Sequence, residues 1–360
     1  MLRTIGLMSG TSLDGVDAAW LETDGEAVGE IGPRLTIPYP DALRAELRAL
    51  LDRAPRLAER GPAADDADVV RAAGRITAVH LEAVRALGRP ADLVGFHGQT
   101  ILHHPERGFT WQIGDAAWLA RASGLRVAFD FRSADVAAGG QGAPLAPVFH
   151  AALARGLPRP LAVLNIGGVA NVTWIGADDR LIACDTGPGN GPLDDWARRH
   201  TGLAYDRDGA LAAAGMADAA VLARLLAHPY FAQPAPKSLD RLDFSRALAA
   251  SGLHALSPAD GAATLAAFTA AAVAATALPA PPRRWLVCGG GRRNPAIMAA
   301  LAARLAAPVA PVEDVGWDGD ALEAQCFGFL AARVVRGLPL SFPGTTGVPA
   351  PWPGGRVAPP

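Results

Sequence analysis

The sequence predicts an α/β protein of two lobes built twice on one plan. Three observations lead there. Strand-like apolar runs alternate with segments of helical spacing along most of the 360 residues. Each half opens with a strand, a small-residue turn and a returning strand: Ile5–Met8 and Val16–Leu21 around Ser9–Gly15, then Leu161–Ile166 and Val172–Ile175 around Gly167-Gly168. The length exceeds that of one hydrophobic core, so two domains are expected. With 50% hydrophobic and 19% charged residues the chain reads as a compact globular protein and not a disordered one.

The elements follow in order. After the opening hairpin, residues 41–52 and 66–87 carry apolar side chains at helical spacing, with a Pro/Ala/Gly-containing break between them. Residues 93–96, 110–113 and 127–131 read as strands and residues 115–123 as a helix, which implies a largely parallel sheet. Composition shifts at Ala137–Pro144, where the crossing between lobes is placed. The lobes are then 1–140, rejoined by part of the C-terminal segment, and 141–340. In the second lobe residues 181–184 are a strand, and residues 193–200, 218–226 and 260–277 helices. Residues 285–288 form a buried strand, and residues 294–305 and 321–336 the last two helices. The Pro/Gly-rich tail, 341–360, has no periodicity and reads as extended or mobile.

Composition excludes several partners. Formal net charge is -2 and no basic patch is visible, so nucleic acid is not expected. No apolar run reaches the roughly 18–20 residues that span a bilayer, and the start shows no signal-peptide pattern, which makes the cytoplasm the default. Cys184, Cys288 and Cys326 form no CxxC pair and read as reduced, buried thiols. His97, His103 and His104 lack the spacing and companions of a metal site. Lys237 is the only lysine, through either a requirement for an ammonium or chance survival.

Four small-residue loops carry the chemistry: Gly10–Gly15, Gly167-Gly168, Thr186–Gly191 and Gly289-Gly290-Gly291. Loops at strand ends let backbone N–H groups approach a phosphate. Neither GxxxxGK[ST] nor GxGxxG is present where a P-loop or a dinucleotide fold would need it. Asp185 closes a strand and opens a glycine turn, which suits a general base; the other reading is an Asx-turn residue. Arg132 suits a carboxylate clamp, or a salt bridge to Asp130 or Asp135. Glu323 begins the last helix, where dipole compensation also explains an acid. His97, flanked by glycine, suits a hydrogen bond to a polar substrate.

Together these segments resemble the anhydro-N-acetylmuramic acid kinases of the actin/hexokinase/Hsp70-like ATPase superfamily. The resemblance rests on GLMSGTSLDGVDAAW (6–20), GFHGQTILHHP (95–105), WQIGDAAWLA (111–120), VAFDFRSADVAAGGQGAPLAP (127–147), LNIGGVANVTWI (164–175), ACDTGPGNGPLDDW (183–196), VCGGGRRNP (287–295) and the run from Asp320 to Gly347. It implies an actin/hexokinase-like (ribonuclease H-like) fold with an interdomain cleft that closes on ligand. The implied activity consumes ATP and water on 1,6-anhydro-N-acetylmuramic acid and yields N-acetylmuramic acid 6-phosphate and ADP. Asp185 would be the base. Gly10, Thr11, Ser12, Leu13, Asp14, Gly15, Val16 and Asp17, with Gly167, Gly168, Gly289, Gly290 and Gly291, would hold ATP. Mg²⁺ would accompany the nucleotide, with Asp14 beside it. Arg132 and Glu323 match the sugar site, with His97 and Gln99 beside them, and the family suggests a homodimer. Around Lys237 the sequence PAPKSLDRLDFS departs from the Lys-Ser-Thr-Gly run of many relatives. An ordinary sugar kinase, with Asp185 deprotonating a hydroxyl, is the second reading.

Overall fold

A computed structural model describes residues 1–59, 65–239 and 244–360. Part of the break between the first two helices and part of the departing segment after Lys237 lie outside the described residues. By contacts the chain forms two compact units, Met1–Arg155 with Ala321–Pro360, and Gly156–Asp320.

Twelve strands are present among the described residues: β1 (Leu2–Ser9), β2 (Gly15–Thr23), β3 (Val28–Pro38), β4 (Leu93–His104), β5 (Phe109–Ile113), β6 (Arg126–Phe129), β7 (Leu161–Ile166), β8 (Val169–Ile175), β9 (Leu181–Pro188), β10 (Trp285–Cys288), β11 (Val309–Pro311) and β12 (Arg356–Ala358). The first unit holds the order β12-β6-β4-β1-β2-β3, with β5 on β4; the second holds β11-β10-β7-β8-β9. In both, three antiparallel strands are followed by parallel partners of the first: β1 pairs β2 antiparallel and β4 parallel, and β7 pairs β8 antiparallel and β10 parallel. The repeated plan is therefore present, and it is the core that the resemblance implies. The sheets are mixed, not largely parallel as expected, because each begins with a three-strand meander.

Three strands escaped the sequence reading. β3 is a half-exposed edge strand broken by Gly29, Gly32 and Pro33, tolerated there because an edge lacks a second hydrogen-bonding neighbour. Gly32 also makes room for Trp20: a Cβ would lie 2.5 Å from its ring. β11 and β12 have three residues each, too few to show alternation. The tail is not a loose end. β12 pairs with β6, and Ser341 and Trp352 bridge across the preceding turn.

The Leu322–Val335 helix seats on the first sheet with almost no side chain between. A Cβ on Gly6 would lie 1.7 Å from the Ala324 carbonyl oxygen, and one on Gly95 2.0 Å from that of Phe327. These glycines let the helix approach the sheet at backbone distance, and its first turn carries Glu323. In the second unit the Pro258–Ala274 helix is buried nearly all round, which explains its alanine-rich, non-amphipathic sequence.

Candidate active site

Each unit places a candidate side chain at a β-bulge, and Asp185 does not close its strand as expected but lies within β9, which runs on to Pro188. In the second unit Asn171 pairs with Asp185 but Ala170 pairs with Gly187, so Thr186 is the extra residue. Its hydroxyl donates to the Ala170 carbonyl at 3.2 Å. A bulge bends its strand and re-aims the neighbouring side chain. The carboxylate of Asp185 accepts the Leu239 backbone N–H at 2.8 Å. The Asp185 N–H donates to the Lys237 carbonyl at 2.9 Å, and its own carbonyl accepts the Tyr230 hydroxyl at 2.7 Å. Desolvation raises its pKa from 3.8 to about 7, opposed by the Leu239 N–H. The side chain is nonetheless only half-buried, so protein crowds it while one face keeps access to solvent.

Lys237 now has an explanation. Its ammonium donates to the Tyr230 carbonyl at 3.1 Å and lies 4.4 Å from the centroid of that ring. The single lysine props the segment that holds Asp185. Tyr230 and Leu239 had no sequence signal, since one acts through a distant hydroxyl and the other through its backbone.

Around the same sheet end, the turn Gly189–Gly191 packs on Gly167-Gly168 through N–H donation from Gly189 to Gly168 and from Asn190 to Gly167. The glycines divide by what a side chain would meet. On Gly168 a Cβ meets nothing within 4 Å, on Gly167 only the Val169 oxygen at 3.6 Å, and on Gly290 only Asn190 at 3.9 Å. Nothing in the fold demands glycine there. By contrast, Gly289 has φ +75° and a Cβ would lie 2.2 Å from the Asn165 side chain; on Gly291 it would lie 2.3 Å from Ile166. Those two serve packing.

The β1–β2 turn divides the same way. Gly10 has room for a Cβ, with Ser12 Oγ nearest at 3.6 Å, whereas at Gly15 one would lie 2.3 Å from the Ile37 oxygen. Leu13 takes φ +61° and is fully buried in the core of this unit. Burying a leucine is worth roughly 1.5–3 kcal/mol, enough to hold one such turn residue in place. Val16 is buried as well, while Thr11, Ser12 and Asp14 are exposed at the tip. Leu13 and Val16 thus present only backbone to a ligand. Gln99 lies beneath the turn, fully buried, donating to the Gly10 carbonyl at 3.2 Å and accepting from Ser9 Oγ.

His97 sits at the other bulge. Leu7 pairs with Phe96 and Ser9 with Gln99, so β4 has one extra residue between, with Gly98 at φ +71°. His97 Nδ1 is 2.8 Å from the Gly98 carbonyl and must donate to it, which leaves Nε2 to accept Arg132 Nε–H at 3.1 Å. The ring is therefore neutral, and burial with the adjacent Arg132 charge holds its pKa well below 6.5. Arg132 also donates Nη1–H to the Gly142 carbonyl at 2.7 Å and lies 6.0 Å from the Phe327 ring centroid. Nη2 has no partner among the described residues. Asp130 pairs instead with Arg356 at 3.0 Å.

Glu323 keeps solvent access, yet surrounding protein and the charge of Asp17 raise its pKa, with Arg132 opposing. Asp17 accepts Thr36 Oγ1–H at 2.6 Å, and Asp14 lies 3.5 Å from Arg44. Asp17, Glu323, Arg132 and His97 thus gather in the first unit. A cavity of about 220 Å³ borders His97, Gln112, Asp130 and Arg356. His103 bonds Thr110 and Gln141, and no group of three metal-ligating residues occurs among the described residues. All three cysteines are buried thiols.

Comparison with known proteins matches the model of the family "Anhydro-N-acetylmuramic acid kinase" to residues 2–359. Proteins of that description are 66% identical over 359 residues in Acidiphilium cryptum (100% of this chain, 99% of that one) and 58% over 363 in Rhodospirillum rubrum (99% and 94%). The protein of that description from Gluconobacter oxydans is 57% identical over 367 residues (99% and 100%). A solved activator of 2-hydroxyisocaproyl-CoA dehydratase from Clostridium difficile, with bound ADPNP, aligns over 93% of this chain and 96% of that one, at 13% identity and a TM-score of 0.45.

Proposed function

Since the chain belongs to the anhydro-N-acetylmuramic acid kinase family, we propose that Asp185 is the general base in the opening and phosphorylation of 1,6-anhydro-N-acetylmuramic acid. One observation carries this reading: a carboxylate at the bulge of β9 with its pKa raised to about 7. Such a group is half-ionised near neutrality, where a base is both present and strong enough to take a proton from water.

The bonds balance as follows. Asp185 removes a proton from water as the oxygen attacks the anomeric carbon. The bond from that carbon to O6 breaks, and its electron pair stays on O6. O6 attacks the γ-phosphorus, the bond to the β–γ bridging oxygen breaks, ADP leaves, and Asp185 then releases its proton to solvent. Products are N-acetylmuramic acid 6-phosphate and ADP, as cell-wall sugar recycling requires.

Further residues serve this reaction in our reading. Backbone N–H groups around Gly10–Gly15, Gly167-Gly168 and Gly290 suit the phosphates, because these turns carry glycines that the fold leaves open. Arg132, with Nη2 available, and Glu323 suit the sugar; His97 and Gln99 act behind them by holding Arg132 and the β1–β2 turn. Magnesium bound through phosphate oxygens needs only one or two carboxylates and no protein cage. Asp14, exposed at the tip of the β1–β2 turn, fits that need, and the ion would neutralise phosphate charge. A cytoplasmic place of work belongs to the same reading; among the described residues no helix is long and apolar enough to cross a membrane.

The test is turnover in ¹⁸O-labelled water, with the anhydro sugar and plain N-acetylmuramic acid compared for ATP consumption. Label is expected at the anomeric hydroxyl, with the anhydro sugar preferred. A phosphorylated product with its bridge intact would refute the mechanism in favour of an ordinary sugar kinase.

A further inference from the structure

Arg132 is held from two sides, and only one of them belongs to the sugar site. On the far side its Nη1–H donates to the Gly142 carbonyl at 2.7 Å. Gly142 is in turn fixed by Asp135, whose Oδ1 accepts the Gly142 N–H at 2.6 Å. The other oxygen of Asp135 accepts Thr346 Oγ1–H at 2.7 Å, across more than two hundred residues of sequence. The Thr346 carbonyl accepts the Gln141 N–H at 2.7 Å, one residue before Gly142. Asp135 and Thr346 are both fully buried.

The loop is shaped to wrap this carboxylate. A Cβ on Gly140 would lie 2.3 Å from Asp135 Oδ1, and Gly142 takes φ +68° with Val136 only 2.7 Å from where a Cβ would stand. The C-terminal segment supplying Thr346 is itself anchored, by Leu340 and Trp352 and by β12 on β6. A buried carboxylate that spends both oxygens on a loop and a distant hydroxyl contributes little as a surface contact. Its effect is to set where the loop carbonyl sits, and that carbonyl sets the guanidinium.

We propose that Thr346, through Asp135 and the Gly139–Gly142 loop, is a positioning residue for Arg132, so that the Pro/Gly-rich C-terminal segment tunes sugar binding. The proposal rests on the reading of Arg132 as a sugar-binding group. A buried hydrogen bond to a carboxylate is strong enough that its loss should shift the guanidinium and cost binding roughly fivefold to tenfold.

The experiment uses the full chain and four variants. Thr346→Val keeps the shape and removes the hydroxyl; Thr346→Ser keeps the hydroxyl; Arg132→Ala and the double variant Thr346→Val/Arg132→Ala complete the cycle. Thr346→Val should raise the KM for the anhydro sugar about fivefold to tenfold with the KM for ATP unchanged, and Thr346→Ser should restore it. On the Arg132→Ala background Thr346→Val should add less than about twofold, because its route to the sugar is gone. Equal rises in both KM values, or the same rise on both backgrounds, would overturn the proposal in favour of general destabilisation. If Arg132→Ala weakens sugar binding and Thr346→Val does not, the proposal falls and the reading of Arg132 stands. If Arg132→Ala leaves the sugar KM unchanged, both fall. Should Thr346→Val not fold, Thr346→Ala takes its place under the same criteria.

Discussion

Replacing Asp185 by Asn should destroy activity and stabilise the fold, and the gain should depend on pH. A rise in pKa from 3.8 to about 7 means that, between those values, the folded chain keeps a proton that the unfolded chain has released. Stability therefore falls as pH rises through that window, and the loss is complete above about 7. At 1.36 kcal/mol per tenfold change the ceiling is about 4 kcal/mol, of which about 2.3 accrues between pH 5 and 7, where the folded group is itself half-ionised at the upper end. Asp185 is half-buried, so solvent on its open face screens that figure to about 1 kcal/mol. The Asn side-chain oxygen can still accept the Leu239 N–H, so the variant loses charge without losing its anchor. In a unit of this size about 1 kcal/mol moves the thermal midpoint by roughly 2–4 °C. Thermal denaturation of both proteins at pH 5 and pH 7.5 reads the difference directly. The variant's advantage should widen by roughly 2–4 °C between them, with turnover reduced at least about a hundredfold. An advantage independent of pH, or a variant less stable than the parent at both, would refute the burial argument.

Three further outcomes follow from the same geometry. The profile of kcat/KM should fall about tenfold per pH unit below about 7 and stay flat above it; a profile flat down to pH 5 excludes Asp185 as the base. Gly168→Ala and Gly10→Ala should leave the thermal midpoint within about 1 °C while raising the KM for ATP about tenfold, whereas Gly289→Ala should destabilise by at least about 2 kcal/mol. Unchanged ATP kinetics in the first two would show that those turns do not meet the nucleotide. His97→Leu should raise the sugar KM about fivefold and leave that for ATP alone, with His97→Gln retaining an acceptor for Arg132 and most of the affinity.

Much of the molecule was legible in advance because its cues are local. The hairpins at residues 5–21 and 161–175 declared themselves by apolar runs around small residues, and the parallel strands by the glycine loops that end them. The meander strand β3 did not, since an edge strand tolerates Gly29, Gly32 and Pro33 and so loses its alternation. Nor was the tail: its Pro/Gly content reads as looseness until Thr346 and β12 are seen to bond residues more than two hundred positions away.

At the site, residue types could be chosen from sequence: Arg132 and Glu323 stand at the starts of helices and the glycines at or beside turns, whereas Asp185, expected to close its strand, lies within β9. Their division of labour could not. Spacing treats Gly10 and Gly15, or Gly290 and Gly291, alike; only the third dimension shows that one of each pair has open space and the other a backbone or side chain against it. Likewise His97 reads as a ligand-facing imidazole until both its nitrogens are found engaged within the protein. Chain order thus determined the repeated α/β plan and which side chains stand at strand ends, because both depend on short-range periodicity and turn chemistry. Tertiary structure alone decided the proton affinity of Asp185 and the partners of Arg132, because desolvation and hydrogen bonding depend on what distant segments bring alongside.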